Sequence, residues 1–225
     1  VIHCIADLKR IYRTKKKEIA ERLKGFKNLW CKGSEEDIFA ELCFCLLTPQ
    51  SKALSCWDAV CEIRGRGLFI EGNADAISRF LRKRTRFYKH KTGYIIAARK
   101  LFGENGRLRI REKIEEIKKV LRSCRISFLN GLREWLVRNV RGLGYKEGSH
   151  FLRNIGLVRG IAILDRHILK NLKALGVIKE IPHNLTKKKY LEIEQKMKKF
   201  SKGIGIPVEA LDLLFWSEET GRIFK

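Results

Sequence analysis

Lys146 and Asp165 form a pair of residues whose types suit covalent chemistry. Lys146 comes directly after Gly142-Leu143-Gly144-Tyr145, a Gly-x-Gly turn expected to open into a helix. Glycines let the backbone take positive φ there and let another backbone come close. A lysine in the first turn of a helix sits at the positive end of the dipole, which favours the neutral amine over the ammonium. A neutral amine is a nucleophile and forms Schiff bases with carbonyl carbons. Asp165, in Leu164-Asp165-Arg166-His167, stands where a later helix should start and would be its N-cap. An acid beside the amine opposes the dipole, so the net protonation state stays open. Plainer readings stand alongside: Lys146 as a phosphate contact, Asp165 as a cap alone, and the turn as an ordinary link between helices. The capping and chemical readings of Asp165 are compatible, because a capping carboxylate is held rigidly.

The elements that must position this pair are helices. Apolar residues recur at helical spacing and no period-two run stands out. A helix over 128–140, the turn Arg141–Gly144 and a helix over 145–155 make a helix–hairpin–helix, a module that holds a DNA backbone through turn amides. The second helix is about 15 Å long at ~1.5 Å per residue. Residues 156–164 span up to roughly 30 Å if extended, so Asp165 can return to Lys146. Upstream, Ile5 to Leu23 suggest a first helix region ending or breaking near Gly25. Ser34 and Asp37 look like a capping box for an apolar, central helix that Pro49 ends. Further helices are expected at 51–63, 74–81, 91–101, 111–121, 166–175, 187–200 and 208–219, with Pro207 suited to the first turn of the last. The fold class is all-α.

Lys plus Arg number 49 against 25 Asp plus Glu, a formal charge of +24 spread along a chain of 225 residues. With 44% hydrophobic residues, the chain is a folded protein and not a basic tail. Such a field suits a polyanion, and nucleic acid is the commonest one. No stretch is long and apolar enough to span a membrane, and no signal sequence is expected. The seven cysteines include no Cys-x-x-Cys pair. Cys43, Cys45 and Cys56 read as buried small hydrophobes in a reducing cytosol.

Gly142-Leu143-Gly144-Tyr145-Lys146 followed by Leu164-Asp165-Arg166-His167 resembles the signature of the helix–hairpin–helix–GPD superfamily of DNA base-excision glycosylases. Leu46-Leu47-Thr48-Pro49-Gln50-Ser51 and the run from Phe87 to Ala98 resemble further superfamily segments. The end, from Asp212 to Lys225, is similar to the archaeal-type (second) family of 8-oxoguanine DNA glycosylase/AP lyases. The likeness runs from about Glu35 to the last residue. It implies two helical subdomains with the active site in the cleft between them. Residues 1–34 would be an N-terminal helix packing with the C-terminal subdomain, 35–145 a central subdomain leading into the hairpin, and 146–225 the catalytic helix with the C-terminal subdomain.

The resemblance implies a bifunctional repair enzyme. Lys146 would attack C1′ of a flipped 8-oxoguanine nucleotide, and the Schiff base would allow β-elimination at the abasic site. Asp165 would take the lysine proton and stabilise the growing positive charge. Gly142, Gly144 and Arg141 would hold the DNA backbone. Gln50 would fill the gap in the duplex, with Phe87 or Tyr88 as a wedge or, equally, as core. Trp216 and the terminal carboxylate of Lys225 would read the base, against the plainer readings of core tryptophan and frayed end. His150 and His167 are candidates for assistance, or for structural or phosphate contacts, and positions 82–91 for further phosphate contacts. No metal and no iron–sulfur cluster are implied, since no cysteine follows Cys124, where endonuclease III-like members carry four; a monovalent cation at the hairpin stays open. The expected partner is double-stranded DNA containing oxidised guanine, bound by a cytoplasmic, nucleoid-associated monomer without membrane contact. The alternatives are a glycosylase/lyase for another damaged base and a non-catalytic helix–hairpin–helix nucleic-acid-binding protein.

Overall fold

Ser34 caps a helix that is buried along most of its length. Its hydroxyl accepts from the Asp37 N–H, and the Asp37 carboxylate accepts from the Ser34 N–H in return. This reciprocal cap satisfies two amides that a helix start leaves without partners. The helix it opens, Glu35–Leu47, is buried at every position from Ile38 to Leu47. Each large apolar side chain withdrawn from water contributes on the order of 2 kcal/mol. Ten consecutive buried positions leave it no solvent face, so its neighbours must surround it.

The computed structural model of the chain describes residues 1–124 and 127–225, without the side chain of Phe128. Among the described residues the order is α1 Ile5–Lys32, α2 Glu35–Leu47, α3 Ala53–Gly65, α4 Ala74–Leu81, α5 Tyr88–Phe102, β1 Gly103–Glu104, β2 Arg107–Leu108, α6 Ile110–Ser123, α7 Phe128–Asn139, α8 Tyr145–Asn154, α9 Arg166–Ala174, α10 Lys187–Ile204 and α11 Val208–Thr220. The protein is all-α apart from β1 and β2, an antiparallel pair with Gly103 opposite Leu108. α1 does not end at Gly25 but continues to Lys32. A helical glycine costs about 1 kcal/mol against alanine, and burial of Phe26 in the next position offsets that cost.

The chain forms two compact units. One comprises Leu29–Phe151. Its core is α2 with Val60, Ile63, Ile77, Leu81, Ile95, Phe102, Ile114 and Leu136. Phe39 meets Phe69 edge-on at 5.2 Å. Cys43, Cys45 and Cys56 are buried thiols. The other unit comprises Val1–Asn28 with Leu152–Lys225. Its core joins Leu8, Ile19 and Phe26 of α1 to residues of α9, α10 and α11. Arg153 and Asp212 form a buried ion pair at 2.9 Å, with the Arg153 guanidinium 4.8 Å from the Phe26 ring. Gly156, at φ 66°, lies where a Cβ would come within 2.4 Å of the Phe26 carbonyl oxygen. A larger residue there would force α1 away.

Candidate active site

The hairpin between α7 and α8 is fixed by its glycines and by buried polar groups. Gly142 has φ 87°, and a Cβ there would lie 2.4 Å from Cδ2 of Tyr94. Conformation and space both demand glycine. The Leu143 N–H donates to the Val140 carbonyl at 3.1 Å and closes the turn. Arg141 is exposed, its guanidinium 5.9 Å from the Tyr94 ring. On the inner side Arg133 is only 1% exposed. It donates to the Ser149 hydroxyl at 3.2 Å and stacks 5.4 Å from the Tyr145 ring. The Tyr145 hydroxyl donates to Glu134. α7 and α8 are therefore tied by charge-assisted bonds, and the first amides of α8 keep a fixed direction.

Lys146 is the second residue of α8 and is partly exposed. Its Nζ lies 3.0 Å from a carboxylate oxygen of Glu147. Two further groups sense its charge. Burial pushes the Lys91 ammonium below the ordinary lysine range, and the charges of Lys146 and Arg86 push it the same way. Burial pushes the Cys56 thiol up to about 11, with Lys91 and Lys146 pulling against it. The amine thus has a carboxylate beside it, and its charge is felt by a second ammonium and a thiol. His150, one turn on, is buried edge-on against Phe44 at 5.5 Å. It packs in the interior.

Gln50 and Phe87 are both exposed and both left-handed, each with φ 55°. Outside glycine such a backbone costs on the order of 1 kcal/mol. Phe87 is 53% exposed, which excludes a core role, and it is the N-cap of α5. Tyr88 is half-buried. The phosphate-contact expectation for positions 82–91 fails at Lys91, which is 4% exposed. Its ammonium donates to the carbonyls of Leu47 at 2.6 Å and Pro49 at 2.8 Å and to the Ser51 hydroxyl at 2.8 Å. Three acceptors repay the desolvation of one charge.

In the other unit Asp165 is the N-cap of α9, its Oδ1 accepting from the Ile168 N–H at 2.8 Å. The extended run before it borrows partners from α10. The Ala162 N–H donates to Glu194 at 3.0 Å, the Leu164 N–H to the Tyr190 hydroxyl at 3.4 Å, and that hydroxyl to the Ala162 carbonyl at 2.6 Å. His167 lies 3.4 Å from Glu219. Trp216, half-buried, stacks on Phe224 with centroids 6.0 Å apart. Arg22 donates to the Phe224 carbonyl and lies over the same ring. Lys225, 7% exposed, is docked and not frayed.

The family model of the 8-oxoguanine DNA glycosylase matches residues 19–206. The chain belongs to the 8-oxoguanine DNA glycosylase family. An 8-oxoguanine DNA glycosylase/AP lyase of Fusobacterium nucleatum is 42% identical over 219 residues, covering 97% of this chain and 96% of that one. The solved 8-oxoguanine DNA glycosylase of Thermotoga maritima superposes with a TM-score of 0.82 at 34% identity and 98% coverage of both chains. The Methanocaldococcus jannaschii 8-oxoguanine glycosylase/lyase, solved with a 15mer DNA containing 8-oxoguanine, has the same TM-score and 34% identity, covering 98% of this chain and 99% of that one.

For an 8-oxoguanine DNA glycosylase the hairpin unit carries Lys146, Gly142, Gly144, Arg141, Gln50 and Phe87, and the other unit carries Asp165, Trp216 and Lys225. Glu147 has no part in the expectations drawn from the sequence, and Lys91 figures there only among the phosphate contacts of positions 82–91. Glu147 was open to discovery as the charged neighbour of the lysine. Nothing in the sequence marks Lys91, whose partners lie some forty residues upstream. Among the described residues no group of three or more His, Cys, Asp or Glu is placed to hold a metal ion. Among them no helix is long and apolar enough to cross a membrane.

Proposed function

We propose that the protein removes 8-oxoguanine from duplex DNA and then cuts the strand at the abasic site, with Lys146 as the nucleophile. Membership of the glycosylase family carries the reading, and Lys146 in the first turn of α8, directly behind the hairpin, supports its residue assignment. A base inside a duplex is out of reach, so the nucleotide must first be extruded. Gly142, Gly144 and Arg141 take the backbone, using amides at the start of α8. Gln50 occupies the vacated place. Trp216 and Lys225 read the base, an assignment favoured by the stack of Trp216 on Phe224 and the docking of Lys225.

The neutral amine of Lys146 forms a bond to C1′ as the C1′–N9 bond breaks, and the base leaves with the electron pair and gains a proton. The sugar ring opens to an imine, whose positive charge acidifies C2′. Loss of that proton expels the 3′ phosphate. Asp165 takes the amine proton and offsets the cationic sugar; a fixed charge facing a developing cation is a large catalytic term. The amine and the carboxylate supply this chemistry without a cofactor.

Borohydride traps the imine. Wild type should yield a covalent adduct with an 8-oxoguanine duplex, and Lys146→Gln should yield none. Asp165→Asn should keep the helix cap, since asparagine caps as well as aspartate, yet trap at least about a hundredfold more slowly. An adduct that survives Lys146→Gln would move the chemistry to another residue.

A further inference from the structure

Gln50 and Phe87 are two of three described non-glycine residues with positive φ, and both project from the hairpin unit. One pair of side chains, the buried Lys91 and the half-buried Ser51, joins their backbones. The Lys91 ammonium takes the carbonyls of Leu47 and Pro49, which bracket the turn leading into Gln50, and the hydroxyl of Ser51, which follows it. The same hydroxyl accepts from the N–H of Arg86, the residue before Phe87, at 2.9 Å. The Ser51 N–H closes the turn onto the Thr48 carbonyl at 3.0 Å.

We propose that Lys91 and Ser51 are positioning residues, a hub beneath the two turns that presents Gln50 and Phe87 to the duplex as one fixed pair. The proposal rests on the glycosylase/lyase reading and on Gln50 as the residue that fills the gap. A left-handed residue persists only where its surroundings over-determine it. Here the surroundings are a desolvated ammonium with three acceptors in fixed directions, stronger than neutral bonds. A preset pair enters the stack without first being ordered, so less free energy is spent on immobilising side chains when the nucleotide leaves. A loop ordered only on binding would have to meet that cost in every encounter. Neither Lys91 nor Ser51 touches DNA in this scheme. Each acts through the backbone of the residues that do.

The test compares one chemical step on two substrates. β-Elimination at an abasic site is timed in a duplex, where a gap must be filled, and in a single strand, where there is none. The readout is the ratio of the duplex rate to the single-strand rate. The charge of Lys91 acts on Lys146 in both measurements, and a loss of folded protein lowers both, so neither moves the ratio. In Lys91→Met and in Ser51→Ala the ratio should fall by about tenfold, the scale of a lost buried hydrogen bond. Ser51→Thr, which keeps the hydroxyl, should restore it. An unchanged ratio in Ser51→Ala overturns the proposal, as does a fall in Lys91→Met alone; if Lys91→Met does not fold, Ser51→Ala decides. Wild type that cleaves the duplex and the single strand shows the enzyme reading to be sound whatever the variants do. Wild type that cleaves neither overturns that reading, and the hub with it.

Discussion

The charge on one amine is set by its neighbours. Glu147, 3.0 Å from Lys146, favours the ammonium, whereas the Lys91 ammonium opposes it. Burial is the main cause of the lowering at Lys91, but the repulsion between the two cations is mutual, so that part of it bears on Lys146 as well. In the proposed reaction attack requires the neutral amine, so the rate of adduct formation should rise with pH. Removing a neighbouring positive charge makes that proton harder to lose; removing a negative one makes it easier. The rising limb of the trapping profile should move to higher pH in Lys91→Met and to lower pH in Glu147→Gln. Identical profiles in the two variants and wild type would sink this account. The turn before Lys146 and the cap at Asp165 were legible because glycine and aspartate have local jobs there. Lys91 was not, because a buried lysine is defined by acceptors that only folding brings to it.

Elements were legible where local chemistry decides them. The Ser34 cap, the wholly apolar α2 and the Gly-x-Gly turn each carry their signal within a few residues. α1 was misread at Gly25, because whether a helix crosses a glycine depends on what the following turn buries. β1 and β2 escaped notice since two residues per strand set up no alternation. α5 starts at Tyr88, ahead of the expected Lys91, because the left-handed Phe87 fixes its beginning. The hairpin offers a prediction at this scale. Gly142→Ala meets both an unfavourable φ and the ring of Tyr94. It should lower the unfolding free energy by about 1–3 kcal/mol in urea titration and weaken binding to undamaged duplex. Full stability in that variant would mean the turn can be rebuilt without glycine.

At the scale of the whole molecule the dominant fact is a formal +24. Binding that displaces counterions from DNA weakens steeply with salt, by roughly a thousandfold between 50 and 200 mM if about six phosphates are neutralised. Titration of a fluorescent duplex over that range should give a linear log–log plot of this steepness. A flat plot would leave the basic surface without a role in binding. Composition told of a polyanion but could not say which lysines face it, since a charge count is blind to the inward turn of Lys91. The strandless run that leads to Asp165 is braced by Tyr190 and Glu194, on a helix that starts more than twenty residues later. Slackening that brace would unseat the carboxylate while the other helices stay wound. On gentle heating, Tyr190→Phe should fall silent in the trapping assay well before its ellipticity drops.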